Sequence, residues 1–147
     1  MKLIKKFTLI ILISLNYFIT VSAADNLFEE AKKKFEKKDY EKSKFLFQRN
    51  IVFNPKNAES YLYLAKIFKT EENQEEEEKN LDTALLLEPN NEEAIYMLIN
   101  IQLDRSNFDK ANSLVERFTS ICKKMCNKQT EISKSLQDLE ANNAKTN

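Results

Sequence analysis

The chain has 147 residues, of which 42% are hydrophobic and 31% are charged, with 23 basic and 23 acidic side chains. It contains no glycine, no histidine and no tryptophan, and only two prolines. Without glycine it cannot form Gly-rich phosphate loops, and without histidine it cannot form HExxH zinc sites or Ser-His-Asp triads. The scarcity of helix breakers and the abundance of Lys, Glu, Leu and Ala favour one small all-α domain.

The first 23 residues have the composition of an export signal. Three lysines within Met1–Lys6 precede an apolar run from Phe7 to Val21, and Val21-Ser22-Ala23 offers short side chains to a signal peptidase. This pattern predicts a cleaved signal peptide over residues 1–23 and export to the periplasm, the cell envelope or the medium. The alternative is an uncleaved membrane anchor, although a span takes about 20 apolar residues and this run is shorter.

Removal of residues 1–23 changes the charge balance of the chain. The remainder keeps 20 basic and 23 acidic residues, which gives a formal net charge of −3. Nucleic-acid binding depends on clustered positive charge, so we expect no nucleic-acid partner. Contact with a membrane is expected only if the N-terminal segment is retained.

An internal repeat is evident from the two prolines, Pro55 and Pro89, which are 34 residues apart and have similar flanking residues. Three blocks of this length align without a gap, at 24–57, 58–91 and 92–125. Each block has two apolar stripes at helical spacing, separated by a short polar turn. The alternative is an ordinary helical bundle in which the spacing of the prolines is a coincidence.

The blocks resemble tetratricopeptide repeats (TPRs). That family has an aromatic, a Leu-small pair and an aromatic in its first helix, and Ala, an aromatic, Ala and Pro in its second. The middle block matches this pattern best, with Tyr61, Leu64, Ala65, Phe68, Leu81, Ala84 and Pro89. The resemblance implies a right-handed α-solenoid of about three TPR helix-turn-helix pairs over residues 24–125. Larger or polar residues at some small or apolar positions suggest loose packing; these are Glu30, Lys34, Asn50, Glu77 and Ile99.

Residues 126–147 have the composition of a C-terminal capping helix with a frayed tail. Ile132, Leu136 and Leu139 form a stripe at i, i+4 and i+7, and the other positions are polar. Such a helix would cover the last repeat, which has no following repeat to pack against. No proline or glycine separates this segment from the helix that starts near Asp109, so a single long helix is the alternative.

The resemblance also implies a function. In TPR proteins the first helices line a concave surface that binds extended or helical segments of other proteins. The residues that fall on this face are Phe28, Lys32, Phe35, Leu62, Tyr63, Lys66, Lys69, Tyr96, Met97, Asn100 and Leu103. We therefore expect a non-catalytic scaffold that binds a protein or peptide partner and needs no cofactor. The alternatives are that several of these residues are core, or that an uncleaved N-terminus makes the protein a membrane-tethered assembly factor.

Two runs of like charge have competing interpretations. The acidic run Glu71–Glu78 contains carboxylates that suit a cation, but negative charge is also favoured at a helix start, where Glu75 and Lys79 form an i, i+4 pair. The run lacks the alternating Asp and the Gly of a calcium loop, which favours the helix interpretation. The lysine cluster within Lys32–Lys38 is interpreted as a solvated helix face, with contact to anionic lipid as the alternative.

Cys122 and Cys126 are the only cysteines. Two thiols cannot complete a four-ligand zinc site in a chain without histidine, so no metal site is expected. In an exported protein the two can form a disulfide. Residues four apart in a straight helix have Cα atoms within disulfide range but unfavourable Cβ directions, which a bend around residues 123–127 would relieve.

Overall fold

The computed structural model describes residues 26–146, with side chains described as far as residue 139. The predicted signal peptide, residues 1–23, lies outside the described residues. Within the described part all regular structure is helical, in agreement with the all-α prediction. The helices are α1 at 26–36, α2 Tyr40–Phe53, α3 Ala58–Thr70, α4 Gln74–Leu87, α5 Glu92–Asp104, α6 Phe108–Ile121, a short 3-10 helix Cys126–Lys128 and α7 Gln129–Thr146.

The helix boundaries recur with the period of the sequence. Helices α2, α4 and α6 begin at residues 40, 74 and 108, and helices α3 and α5 begin at residues 58 and 92. The asparagine that precedes α3 and the one that precedes α5 act as N-caps: Asn57 Oδ1 accepts the Ser60 N–H at 2.8 Å, and Asn91 Oδ1 accepts the Ala94 N–H at 3.0 Å. Helices α2 and α4 each end two residues before a proline, Pro55 and Pro89.

The turn inside each helix pair has the same backbone conformation. Lys38, Glu72 and Ser106 adopt left-handed backbone with φ of 59°, 56° and 55°, and they too are 34 residues apart. In each turn this residue donates its N–H to the carbonyl three residues earlier, and the next residue donates to the carbonyl five residues earlier. This is the Schellman arrangement, which glycine normally supplies. Because the chain has no glycine, side chains with a Cβ occupy all three positions.

The chain divides into two compact units, one ending at Leu64 and one beginning at Ala65. In the first unit the core contains Ala31, Leu46 and Phe47. Two buried polar contacts join its helices: Ser43 Oγ donates to the Ala31 carbonyl at 2.9 Å, and Ser60 Oγ donates to Asn50 Oδ1 at 2.9 Å. Asn50, a departure from the TPR pattern, is therefore buried with a hydrogen-bond partner.

The second unit has a core of fully buried aliphatic and aromatic side chains from α3 to α7. They include Ile67, Leu81, Ile95, Ile99, Phe118 and Ile132. Ile99, which suggested loose packing, is completely enclosed. Helix α7 packs against α5 and α6 through Ile132 and Leu136, whereas Leu139 is 37% exposed.

Helices α6 and α7 are separate elements. Helix α6 ends at Ile121 and α7 starts at Gln129, with a turn and the 3-10 helix between them. The alternative of one long helix is therefore wrong. Among the helices that the structure describes, none combines the length and the apolar composition that crossing a bilayer requires.

Candidate partner-binding surface

Four of the eleven candidate contact residues belong to the core, which is the alternative that the sequence left open. Phe28, Leu62, Met97 and Leu103 are only 8%, 5%, 5% and 5% exposed. Their side chains turn into the core; the Phe28 ring, for example, packs edge-on against Phe47 with centroids 5.7 Å apart. These four residues therefore stabilise the fold and do not offer contact area to a partner in the free protein.

In the first unit the remaining candidates form an aromatic cluster. The Tyr63 ring stacks on Phe47 at 4.9 Å and meets the edge of Phe35 at 5.1 Å. Both Tyr63 and Phe35 are partly exposed. Lys32 places its ammonium group 5.4 Å from the centroid of the Phe28 ring, a cation–π geometry. This part of the surface combines rigid aromatic area with positive charge.

In the second unit the candidates are mainly polar. Lys66 Nζ lies 2.8 Å from Glu93 Oε1, which joins α3 to α5, and Asn100 is partly exposed on α5. Lys69 is exposed at the end of α3. Burial raises the pKa of the Glu77 carboxyl, and the positive charge of Lys69 reduces this rise without cancelling it.

Tyr96 is partly covered by the C-terminal segment. Its hydroxyl donates to Glu131 Oε1 at 2.9 Å, and Lys128 Nζ lies 5.4 Å from the ring centroid. Lys128 also pairs with Glu131 at 2.7 Å. Hydrogen bonds from Lys128 and then from Tyr96 lower the pKa of Glu131. Tyr96 is therefore a docking point for α7, a role that its position in the third block did not indicate.

The acidic run contributes a polar network that the sequence did not indicate. Glu78 accepts hydrogen bonds from Arg105, from Lys110 Nζ at 3.1 Å and from Gln102 Nε2 at 3.0 Å. Burial raises the pKa of Glu78, but the hydrogen bonds and the positive charges of Arg105 and Lys110 together outweigh burial and lower it. The network ties α4 to α5 and α6.

The expected pair between Glu75 and Lys79 is replaced by another in the structure. Lys79 Nζ contacts Glu76 Oε1 at 2.9 Å instead. Both spacings, i+3 and i+4, bring side chains together on a helix. Among the residues described, no three His, Cys, Asp or Glu side chains are arranged to hold a metal ion.

Cys122 and Cys126 form a disulfide at the turn between α6 and α7, with their Cα atoms 5.3 Å apart. The chain leaves the helix at Cys122, and the bend there relieves the unfavourable Cβ directions of a straight helix. Glu92 accepts the backbone N–H groups of Lys124 and Met125 at 3.0 and 2.8 Å. The Met125 N–H is the main cause of the lowered pKa of Glu92. The disulfide and Glu92 together fix the turn that leads into α7.

Solved TPR structures share this fold. The TPR domain of Arabidopsis OM64 superposes with a TM-score of 0.72 at 16% identity, covering 81% of this chain and 98% of that domain. The Yersinia enterocolitica type III secretion chaperone SycD, in complex with a peptide of the translocator YopD, gives 0.71 at 12% identity, with coverage of 83% and 95%. The TPR2B domain of yeast Sti1, in a pHsp70 complex, gives 0.68 at 17% identity, with coverage of 81% and 97%.

No protein-family model matches the chain, and no curated protein sequence is significantly similar to it. At identities of 12–17% the structural likeness establishes the fold and nothing finer. The fold is a TPR-type α-solenoid, which confirms the fold class that the resemblance to TPRs implied.

Proposed function

We propose that this protein is a non-catalytic scaffold that binds a segment of another protein through exposed side chains of its first helices, α1, α3 and α5. The observation that carries the proposal is the set of aromatic, charged and polar side chains on these helices that are exposed or partly exposed. They are Lys32, Phe35, Tyr63, Lys66, Lys69 and Asn100. The same fold in SycD and in the Sti1 domain is found in complex with a peptide or with pHsp70, which supports the proposal by analogy.

The accessible groups favour a partner segment with apolar and acidic side chains. Rigid aromatic rings such as those of Phe35 and Tyr63 provide contact area at low entropic cost. Lys32 and Lys69 add positive charge, while Lys66 is already paired with Glu93. Acidic side chains of the partner would complement this charge.

A selection for peptide ligands tests the proposal directly. Peptides would be selected from a displayed random library against the chain that begins at Ala24, and their affinities measured by calorimetry. Anchor residues commonly contribute about 2 kcal/mol or more, so we expect Lys69→Glu and Asn100→Ala to weaken binding by roughly thirty-fold or more.

The matched control for this experiment lies on a second helix. Lys79→Glu makes the same charge change as Lys69→Glu at an exposed position of α4 and should leave peptide affinity unchanged. If Lys79→Glu abolishes binding while Lys69→Glu and Asn100→Ala do not affect it, the binding surface lies on the second helices and the proposal fails.

We further propose that the protein is exported and acts in the cell envelope, with residues 1–23 removed as a signal peptide. The disulfide Cys122–Cys126 supports this location, because disulfides persist mainly in oxidising compartments. Mass spectrometry of the protein from an envelope fraction should show a chain that begins at Ala24 or Asp25 and lacks two thiol hydrogens. A full-length mass in that fraction would favour the tethered alternative, and a full-length reduced chain in the cytosol would refute export.

A further inference from the structure

The connection between α6 and α7 lacks two features that the earlier connections between repeats share. The connection between α4 and α5, for example, contains Pro89, which fixes its own φ, and Asn91, which caps the next helix. The residues 34 positions later are Lys123 and Met125, which provide neither feature. Both lie inside the loop that the Cys122–Cys126 disulfide closes. The disulfide therefore takes the place of the proline and the cap in directing the chain into α7.

Helix α7 has few other contacts that hold it on the domain. Ile132 and Leu136 bury their side chains where α7 packs against α5 and α6, and Glu131 accepts the Tyr96 hydroxyl at 2.9 Å. Every other described side chain of α7 is polar except Leu139, which is 37% exposed. The stability of such a helix comes mainly from the packing of its apolar side. The position of α7 therefore depends on two buried side chains and on the turn that precedes them.

The two sulfur atoms of the disulfide differ in access. Cys126 is exposed, whereas Cys122 is partly buried and its Sγ accepts a hydrogen bond from Gln129 Nε2 at 3.2 Å. Thiol–disulfide exchange depends on access to the attacked sulfur and on how well the other sulfur leaves. Lys123 and Lys124 are both exposed in the loop, and their positive charge attracts an anionic thiolate. Attack is therefore favoured at Cys126, with Cys122 as the leaving group that the Gln129 amide stabilises.

We propose that the Cys122–Cys126 disulfide is a redox switch that controls how often α7 leaves the domain. One thiolate of a dithiol reductant bonds to Cys126 Sγ, the Cys122–Cys126 bond breaks, and Cys122 leaves as a thiolate. The second thiolate of the reductant then displaces Cys126 and closes the reductant's own disulfide. In total two electrons and two protons pass from the dithiol to the protein. The switch does not depend on the peptide-binding function, because it acts on the docking of α7 alone.

Reduction removes the restraint on the loop and leaves the other contacts of α7 in place. Glu92 still accepts the N–H groups of Lys124 and Met125 in the docked form, so the reduced protein remains folded. Closing a loop this short shifts an opening equilibrium by about thirty-fold, which corresponds to about 2 kcal/mol. We therefore expect the form in which α7 has left the domain to be about thirty-fold more populated after reduction. That form uncovers Ile132 and Leu136.

Hydrogen exchange read by mass spectrometry tests the switch. The purified protein would be exchanged in its oxidised form and after reduction with dithiothreitol, at several low urea concentrations, with circular dichroism to verify that both forms are folded. Amides of α7 should exchange faster than those of α4 and with less dependence on urea, because α7 opens without unfolding of the whole unit. Reduction should accelerate the exchange of α7 by about thirty-fold. The control is the double variant Cys122→Ser, Cys126→Ser, in which α7 should exchange at the reduced rate with or without dithiothreitol.

A trapping experiment tests the direction of attack. The oxidised protein would be mixed with glutathione, quenched with acid, and digested so that fragment ions locate the glutathione adduct, which we expect on Cys126. An adduct mainly on Cys122 would overturn the assignment of the attacked sulfur. The switch itself is overturned if reduction leaves the exchange of α7 unchanged. It is also overturned if α7 and α4 exchange at the same rate with the same urea dependence, because α7 would then leave only when the whole unit unfolds.

Discussion

Glycine at the three left-handed turn positions should stabilise the protein. A residue with a Cβ in this backbone region costs about 1–2 kcal/mol, and Lys38, Glu72 and Ser106 each bear that cost. Glycine removes it but adds about 0.5–1 kcal/mol of chain entropy in the unfolded state. The net expectation for Lys38→Gly, Glu72→Gly or Ser106→Gly is a gain of about 0.5–1 kcal/mol each.

The effects should add, because the three positions lie in separate turns without shared partners. The triple variant should therefore gain about 1.5–3 kcal/mol in the free energy of unfolding, measured by urea titration followed by circular dichroism. Gln48→Gly is the control: this residue is exposed in the middle of α2, where glycine should cost about 1 kcal/mol. If the turn variants are destabilised as much as Gln48→Gly, the repeated left-handed turn is not a feature of the folded protein.

Three further predictions concern the second unit. Glu78→Gln should lower the free energy of unfolding at neutral pH. Because the pKa of Glu78 is lowered in the folded protein, the stability that its carboxylate contributes is fully present above the ordinary pKa of 4.5. This contribution is lost as the pH falls from there through the lower pKa of the folded state. Urea titrations at several pH values should show the wild type and Glu78→Gln converging in acid, whereas the exposed pair variant Glu76→Gln should have little effect at any pH. Reduction of the disulfide should cost about 2 kcal/mol, seen as a lower melting temperature, and the reductant should not change a variant with both cysteines replaced by serine. Ile132→Ala should cost about 2–5 kcal/mol because Ile132 is 1% exposed. In the same urea assay Leu139→Ala should cost less than about 1 kcal/mol, and equal losses would mean that α7 does not cap the domain.

Most of the fold could be predicted from the sequence because of its 34-residue period. It locates the helix pairs, the N-cap asparagines and the prolines that follow α2 and α4, because all of these are local features. The left-handed turns were not predictable in the same way. Lys38, Glu72 and Ser106 have different side chains, and without glycine nothing in their composition marks the conformation.

The candidate surface was predicted less well, for two physical reasons. Neighbouring helix positions differ by about 100° in direction, so Leu62 is buried while Tyr63 is partly exposed, and a repeat pattern does not resolve this difference. The second reason is that long-range contacts leave no local signal. The bonds of Glu78 to Arg105 and Lys110, and the contact of Tyr96 with Glu131, join residues 27–35 positions apart.

The central claim is that the first helices bind a segment of another protein, and mapping a bound peptide by NMR tests it most directly. A peptide selected against the chain would be titrated into the labelled protein while amide resonances are recorded. We predict that the largest shifts occur at Lys66, Lys69 and Asn100 and that resonances of α4 and α6 remain in place. Shifts confined to α4 and α6 would contradict the claim.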